Sequence, residues 1–179
     1  LCPLLIKKLD ERKAYILLSV YGFAASIFSF VIGHFWFQSP DNMVLTVLFY
    51  ASLFLIGLQF GAVTLMPMIM TADCVDYYEY ETGKRMEGAA YSILTLTIKV
   101  CLALGTAVGL IFVQVSGYYD ALGAGTFTTK TKDIIFFAYT ALPGVLALLS
   151  IFPMFKYDIV GEKKAQISAA LSQRRAGKE

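Results

Sequence analysis

Residues 88–115 read GAAYSILTLTIKVCLALGTAVGLIFVQV, and this stretch decides how the rest of the chain is understood. Its one charge, Lys99, sits near the middle. As a helix the run would extend roughly 42 Å, more than the ~30 Å hydrocarbon core of a bilayer. A lysine at mid-membrane costs roughly 2.5–3.5 kcal/mol on insertion scales unless it faces a wet cavity or an acidic partner. No Asp or Glu lies inside another apolar run, so the partner of Lys99 is expected outside these 179 residues.

Working outward, the composition agrees with a membrane setting. Apolar residues make up 58% of the chain and charged residues 16%, and the mean hydropathy is +0.66. A soluble domain carries about a quarter charged residues. Four apolar segments read as spans, at about 14–36, 43–70, 89–116 and 133–155. They lack the polar stripe of a soluble helix and are twice the length of a barrel strand, so the expected class is an all-α membrane protein. The expected organisation is an entry segment over 1–13, a four-helix membrane part over 14–155 and a tail over 156–179. Leu1–Ile6 reads like the end of an earlier helix, which makes the chain a fragment by expectation.

Basic residues set the orientation. Lys7, Lys8, Arg12 and Lys13 precede the first span, and Lys84 and Arg85 lie between the second and third. Lys156, Lys163, Lys164, Arg174, Arg175 and Lys178 follow the fourth. Lys130 and Lys132 alone fall on the opposite side, so the positive-inside rule puts the beginning, the 71–88 connection and the tail in the cytoplasm. A formal charge of +2 gives no reason to expect nucleic acid. Cys2, Cys74 and Cys101 have no metal-like spacing and read as reduced structural residues.

On the third span Ser92, Thr95, Lys99 and Thr106 share one helical face. That face is expected to border a central cavity where Lys99 bonds a hydroxylated or anionic solute, or pairs with a cation-binding carboxylate. Thr64 is a further candidate, on the face of Gly57, Gly61 and Met68, although a membrane hydroxyl often bonds its own backbone. The pairs Gly57/Gly61 and Gly105/Gly109 are expected helix-packing sites, and Pro67, Pro143 and Pro153 expected kinks. His34 reads as an interfacial residue. The charged connection holds Asp73, Asp76, Glu79, Glu81, Lys84, Arg85 and Glu87 without the spacing of an EF-hand, and reads as ion pairs closing a gate. No nucleophile elbow, phosphate loop or HExxH is present, so neither an enzyme nor a cofactor is expected.

The run ADCVDYYEYETGKRMEGAAYS, residues 72–92, resembles the AD-x-VDY-x-E-x-x-TGKR-x-EG signature of the glycoside–pentoside–hexuronide:cation symporters, the melibiose-permease-like branch of the major facilitator superfamily. Lys99 falls where that family has a lysine on its eleventh helix, and Pro3–Lys13 resembles the basic loop between helices eight and nine. The resemblance implies the last four helices of a twelve-helix transporter that works by alternating access. It also implies a sugar or glycoside substrate and a coupling cation, sodium or proton, bound mainly by an absent N-terminal half. Lys99, Thr95 and Thr64 would then approach the substrate and cation region, and Asp73, Asp76 and Arg85 would help hold the halves together. Leu94 departs from the polar amide that melibiose-type members can carry, which leaves the exact substrate open. Rival expectations are a membrane scaffold built on the glycine faces, a transporter of a non-sugar solute and a channel-forming oligomer.

Overall fold

The computed structural model describes residues 9–176, the side chains of 62 and 63 apart. The readings placed on Leu1–Lys8 and on Lys178 lie outside the described residues. Three long helices come first: α1 (Glu11–Gln38), α2 (Met43–Thr82) and α3 (Glu87–Val115). A short α4 (Tyr118–Ala124) precedes a fourth span in three pieces, α5 (Thr129–Tyr139), α6 (Ala141–Leu149) and α7 (Ile151–Met154), and α8 (Gly161–Ala176) closes the chain. Four helical segments are long and apolar enough to cross a bilayer, and no strand occurs among the described residues. This is an all-α integral membrane protein.

Prolines explain the broken span. Thr140 and Ser150 separate its pieces, each three positions before a proline, Pro143 and Pro153. A proline nitrogen has no hydrogen, so the carbonyls of Tyr139 and Leu149 lose their helical donors. The hydroxyls at the breaks turn back on the helix, Thr140 to the Phe136 carbonyl at 2.7 Å and Ser150 to the Ala147 carbonyl at 2.6 Å. Pro67, by contrast, lies inside an uninterrupted α2.

Two stretches outside the spans are more ordered than hydropathy alone indicates. The helix of the second span continues past Met70: α2 runs three turns further, to Thr82. Hydropathy falls at Asp73, but nothing there breaks a helix until Gly83, whose left-handed backbone (φ 71°) caps α2 with its N–H on the Glu79 carbonyl at 2.8 Å. At 40 residues α2 is roughly 60 Å long, so its charged end projects well beyond the hydrocarbon. Within the tail, residues 161–176 form α8, which packs on that projecting end with Ile167 and Leu171 buried.

The hub of the bundle is α1, which packs against α2, α5 and α6. Its buried line includes Gly22, Ser26, Ser29 and Gly33, at offsets that keep one face of small residues. Small residues let backbones approach, which matters where lipid removes the hydrophobic drive between helices. A Cβ on Gly33 would strike the Phe136 ring, and one on Gly144 would lie 2.6 Å from the Ser26 Cβ. The expected packing pairs behave otherwise: a Cβ on Gly57, Gly61, Gly105 or Gly109 meets nothing within 4 Å. Close contact here uses glycine against serine or a ring, not glycine against glycine.

Hydrogen bonds fasten the same seams. The Ser29 hydroxyl meets that of Ser52 at 3.0 Å, the Tyr21 hydroxyl donates to the Leu55 carbonyl at 3.1 Å, and the Trp36 indole donates to Thr46 at 3.0 Å. Tyr15 donates to Ser150 at 2.8 Å, and His34 meets Asp133 at 2.9 Å, tying α1 to the fourth span at both ends. Trp36, Phe37, Phe49 and Phe136 stack between them at one end. Unlike α1, α3 has no buried residue.

Candidate functional site

The sequence-predicted polar face of α3 is intact. Ser92, Thr95 and Lys99, with Gly88, Tyr91 and Leu96, line an open recess of ≈ 420 Å³. Each hydroxyl donates one turn back along the helix, Ser92 to the Gly88 carbonyl at 2.7 Å and Thr95 to the Tyr91 carbonyl at 2.8 Å. Their oxygen lone pairs therefore remain free to accept, while the Lys99 ammonium supplies up to three donors. Lys99 is exposed, and no acid lies within ion-pair distance of it among the described residues. Thr106 continues the face and bonds the Leu102 carbonyl at 2.9 Å.

Thr64 is not brought to this recess. It sits on α2 with its hydroxyl donated to the Phe60 carbonyl at 2.9 Å, and the recess is lined by α3 alone. The Tyr91 hydroxyl reaches the Met68 carbonyl of α2 at 3.5 Å, a weak tie between the two helices.

The charged end divides into two clusters where the sequence suggested one. Asp73 is buried and accepts from the Lys164 ammonium at 2.8 Å and from the Tyr157 hydroxyl at 3.2 Å. The same ammonium reaches the buried Glu11 at 2.6 Å, so one cation from α8 holds carboxylates from α1 and α2. Arg85 stands apart with Glu79 at 2.9 Å, Glu87 at 3.0 Å and, more loosely, Asp76 at 3.4 Å. Arg175 of α8 shares Glu79 at 3.0 Å, and Arg174 caps the end of α2 on the Tyr80 carbonyl at 3.0 Å. Tyr77 and Tyr80 seat the tail through their rings, under Lys163 at 5.2 Å and Arg174 at 5.6 Å. Sequence reading missed Glu11, Tyr157 and Lys164. The available signal was the weak amphipathic period of 161–176, which places Lys164, Ile167 and Leu171 on one face. Among the described residues no group of His, Cys, Asp and Glu is arranged to hold a metal ion.

Electrostatics at the tail point one way. Burial pulls the Lys164 ammonium down, but its hydrogen bonds to Asp73 and Glu11 outweigh that and raise it above its ordinary 10.5. Burial, then the Asp73 charge, pushes the Tyr157 phenol above its ordinary 10.0. A pKa raised on folding gives stability that is complete below the unfolded value and lost as pH climbs through the folded one. The tail should therefore stay docked from neutral pH to about pH 10 and loosen above that. Cleavage within 161–176 by an alkali-tolerant protease, scaled to a peptide of the same sequence, should accelerate there. A flat profile to pH 12 would contradict this.

A family model described as MFS/sugar transport protein matches residues 1–161. The chain belongs to that family. It is a family of transport proteins, not of enzymes. An uncharacterized 29.9 kDa protein of Pseudescherichia vulneris is 27% identical over 86% of the chain and 54% of its own length. The inner membrane symporter YicJ of Escherichia coli is 31% identical over 60% of the chain and 23% of its own length. A putative sulfoquinovose importer of the same organism is 26% identical over 98% of the chain and 35% of its own length. The chain thus spans about half of the first relative and about a quarter to a third of the other two. No solved structure is a significant match.

Proposed function

We propose that this chain is the C-terminal part of a secondary active transporter that moves a sugar or glycoside, coupled to a cation, by alternating access around a central site. The observation that carries this reading is Lys99, exposed and without an acid partner among the described residues, on one face with Ser92 and Thr95. An ammonium flanked by accepting hydroxyls suits a solute rich in hydroxyls, and one that also bears negative charge suits it better. Two relatives are named a putative sulfoquinovose importer and a glucuronide carrier protein homolog, which supports an acidic sugar as the class to try first.

In this reading Lys99 and Thr95 face the substrate and cation region, while Thr64, which the fold leaves outside their recess on α2, is the weaker candidate. An N-terminal half supplies the remaining ligands, and the coupling ion is Na⁺ or H⁺. The inner membrane is the expected location, with α8 and the clusters around Asp73, Asp76 and Arg85 on the cytoplasmic side. There those clusters act as the gate between the halves, and alternating access breaks and remakes their contacts.

The test is cation-dependent uptake of acidic and neutral glycosides by vesicles containing the full-length protein, wild type beside Lys99→Ala. Wild type should take up at least one glycoside when a cation gradient is imposed. Lys99→Ala, at equal expression, should lower that uptake at least tenfold. Uptake that survives the substitution would make Lys99 structural. Failure of wild type on every glycoside would overturn the sugar assignment.

A further inference from the structure

We infer that the aromatic recess at the end of the bundle opposite α8 holds one anionic phospholipid, with its phosphate on Lys132 and an acyl chain among the rings. The recess measures ≈ 340 Å³ and is walled by α1, α4 and α5. Phe37, Tyr118, Phe127, Phe136 and Tyr139 line it, with Lys132. The one other hydroxyl-bearing wall residue, Thr131, is buried and has already given its proton to the Ser116 carbonyl at 3.0 Å. Apart from the two phenols, the walls offer ring faces and edges. A sugar placed there would surrender hydrogen bonds to water that the lining does not replace. A hydrocarbon chain surrenders none.

Charge selects the headgroup. Lys132 is exposed, and no acid lies within ion-pair distance of its ammonium among the described residues. Its chain neighbour Asp133 turns inward, its Oδ2 on His34 at 2.9 Å and its Oδ1 buried without a partner among the described residues. Depth agrees as well, because the recess lies where α1 ends in Trp36 and Phe37, at the level where aromatic side chains gather between acyl chains and headgroups. An anionic phosphate at this level meets an ammonium that no described carboxylate pairs with. The inference depends on the chain being a membrane protein and not on what it transports.

Native mass spectrometry of the full-length protein in detergent tests this, with phosphatidylglycerol, phosphatidylcholine or inorganic phosphate as the probe. Wild type should bind its first phosphatidylglycerol about fivefold more tightly than Lys132→Ala does, the worth of one lysine against an anionic headgroup. Phosphatidylcholine, whose phosphate is offset by its own choline, should lose clearly less than phosphatidylglycerol in Lys132→Ala, and Lys130→Ala should match wild type for both lipids. Tyr139→Ala should weaken both lipids, since Tyr139 is 66% exposed and lines the chain slot rather than the core. Equal losses in Lys130→Ala and Lys132→Ala would reduce the effect to diffuse charge and overturn the site. Displacement of the lipid by inorganic phosphate would make it a plain anion site, and equal affinity for the two lipids in wild type would leave an ordinary bilayer contact.

Discussion

Gly144→Ala should destabilise the full-length protein by about 1–3 kcal/mol, and Ser26→Gly in the same molecule should restore most of that loss. The added methyl would stand 2.6 Å from the Ser26 Cβ and 3.0 Å from its hydroxyl. A Cβ cannot swing aside as the end of a long side chain can, so α6 must move away from α1. Overpacking of this kind costs roughly 1–3 kcal/mol in well-packed proteins. Taking away the Ser26 side chain removes both close atoms and leaves the Phe23 Cα at 3.6 Å, an ordinary contact. Rescue is therefore expected at this pair in particular. Gly33→Ala should be as harmful, because the obstacle there is the Phe136 ring, itself wedged among Phe30, Phe37 and Phe49. The readout is the temperature at which detergent-solubilised protein stops eluting as a single species. If Gly144→Ala elutes like wild type through the whole range, the α1–α6 seam is looser than described.

These glycines also show what the sequence made legible. Length and hydropathy were enough to find four spans, because nothing but lipid selects for such runs. The ends of the spans were less legible. Hydropathy marks where lipid stops and not where the backbone stops being helical, so α2 outran its expected end until Gly83 offered a left-handed cap. The prolines told more than a kink, since both breaks in the last span fall three positions ahead of one. The glycine pairs do not mark the seam around α1, which relies on Gly22, Ser26, Ser29 and Gly33, where serine stands in for the second glycine. Reading serine as small would have found it.

The candidate site was legible in one half and not in the other. Ser92, Thr95 and Lys99 lie on one helix, and the 3.6-residue period alone places them on one face. The charged end is assembled from three separate stretches, 11, 73–85 and 157–175, and no local period links them. Asp73 and Arg85 look like neighbours in sequence, yet Asp73 lies on α2 and Arg85 beyond its Gly83 cap, and they meet different partners.

Lys164→Met is the stronger test of that end. It should free α8 and cost about 1–3 kcal/mol, while Arg175→Ala should cost clearly less. The difference lies in burial. Glu11 and Asp73 have side chains only 10% and 9% exposed and share a single ammonium. Removing it leaves two carboxylates facing each other out of water, and loss of one partner from a fully buried pair costs about 3–5 kcal/mol. Lys164 itself is 36% exposed, so the smaller range applies. Arg175 and Arg85 bridge Glu79 from exposed positions, where solvent screens such pairs strongly. Asp73→Asn added to Lys164→Met should return part of the loss, because the remaining Glu11 then faces a neutral amide. A double-mutant cycle with Asp73→Asn should give a coupling of about 1–3 kcal/mol, against near zero for Arg175 with Asp73. Stability and protease access to residues 161–176 should move together in these variants if Lys164 is what docks the tail. A coupling near zero between Lys164 and Asp73 would leave Ile167 and Leu171 as the anchor of α8 and the ion cluster as its consequence.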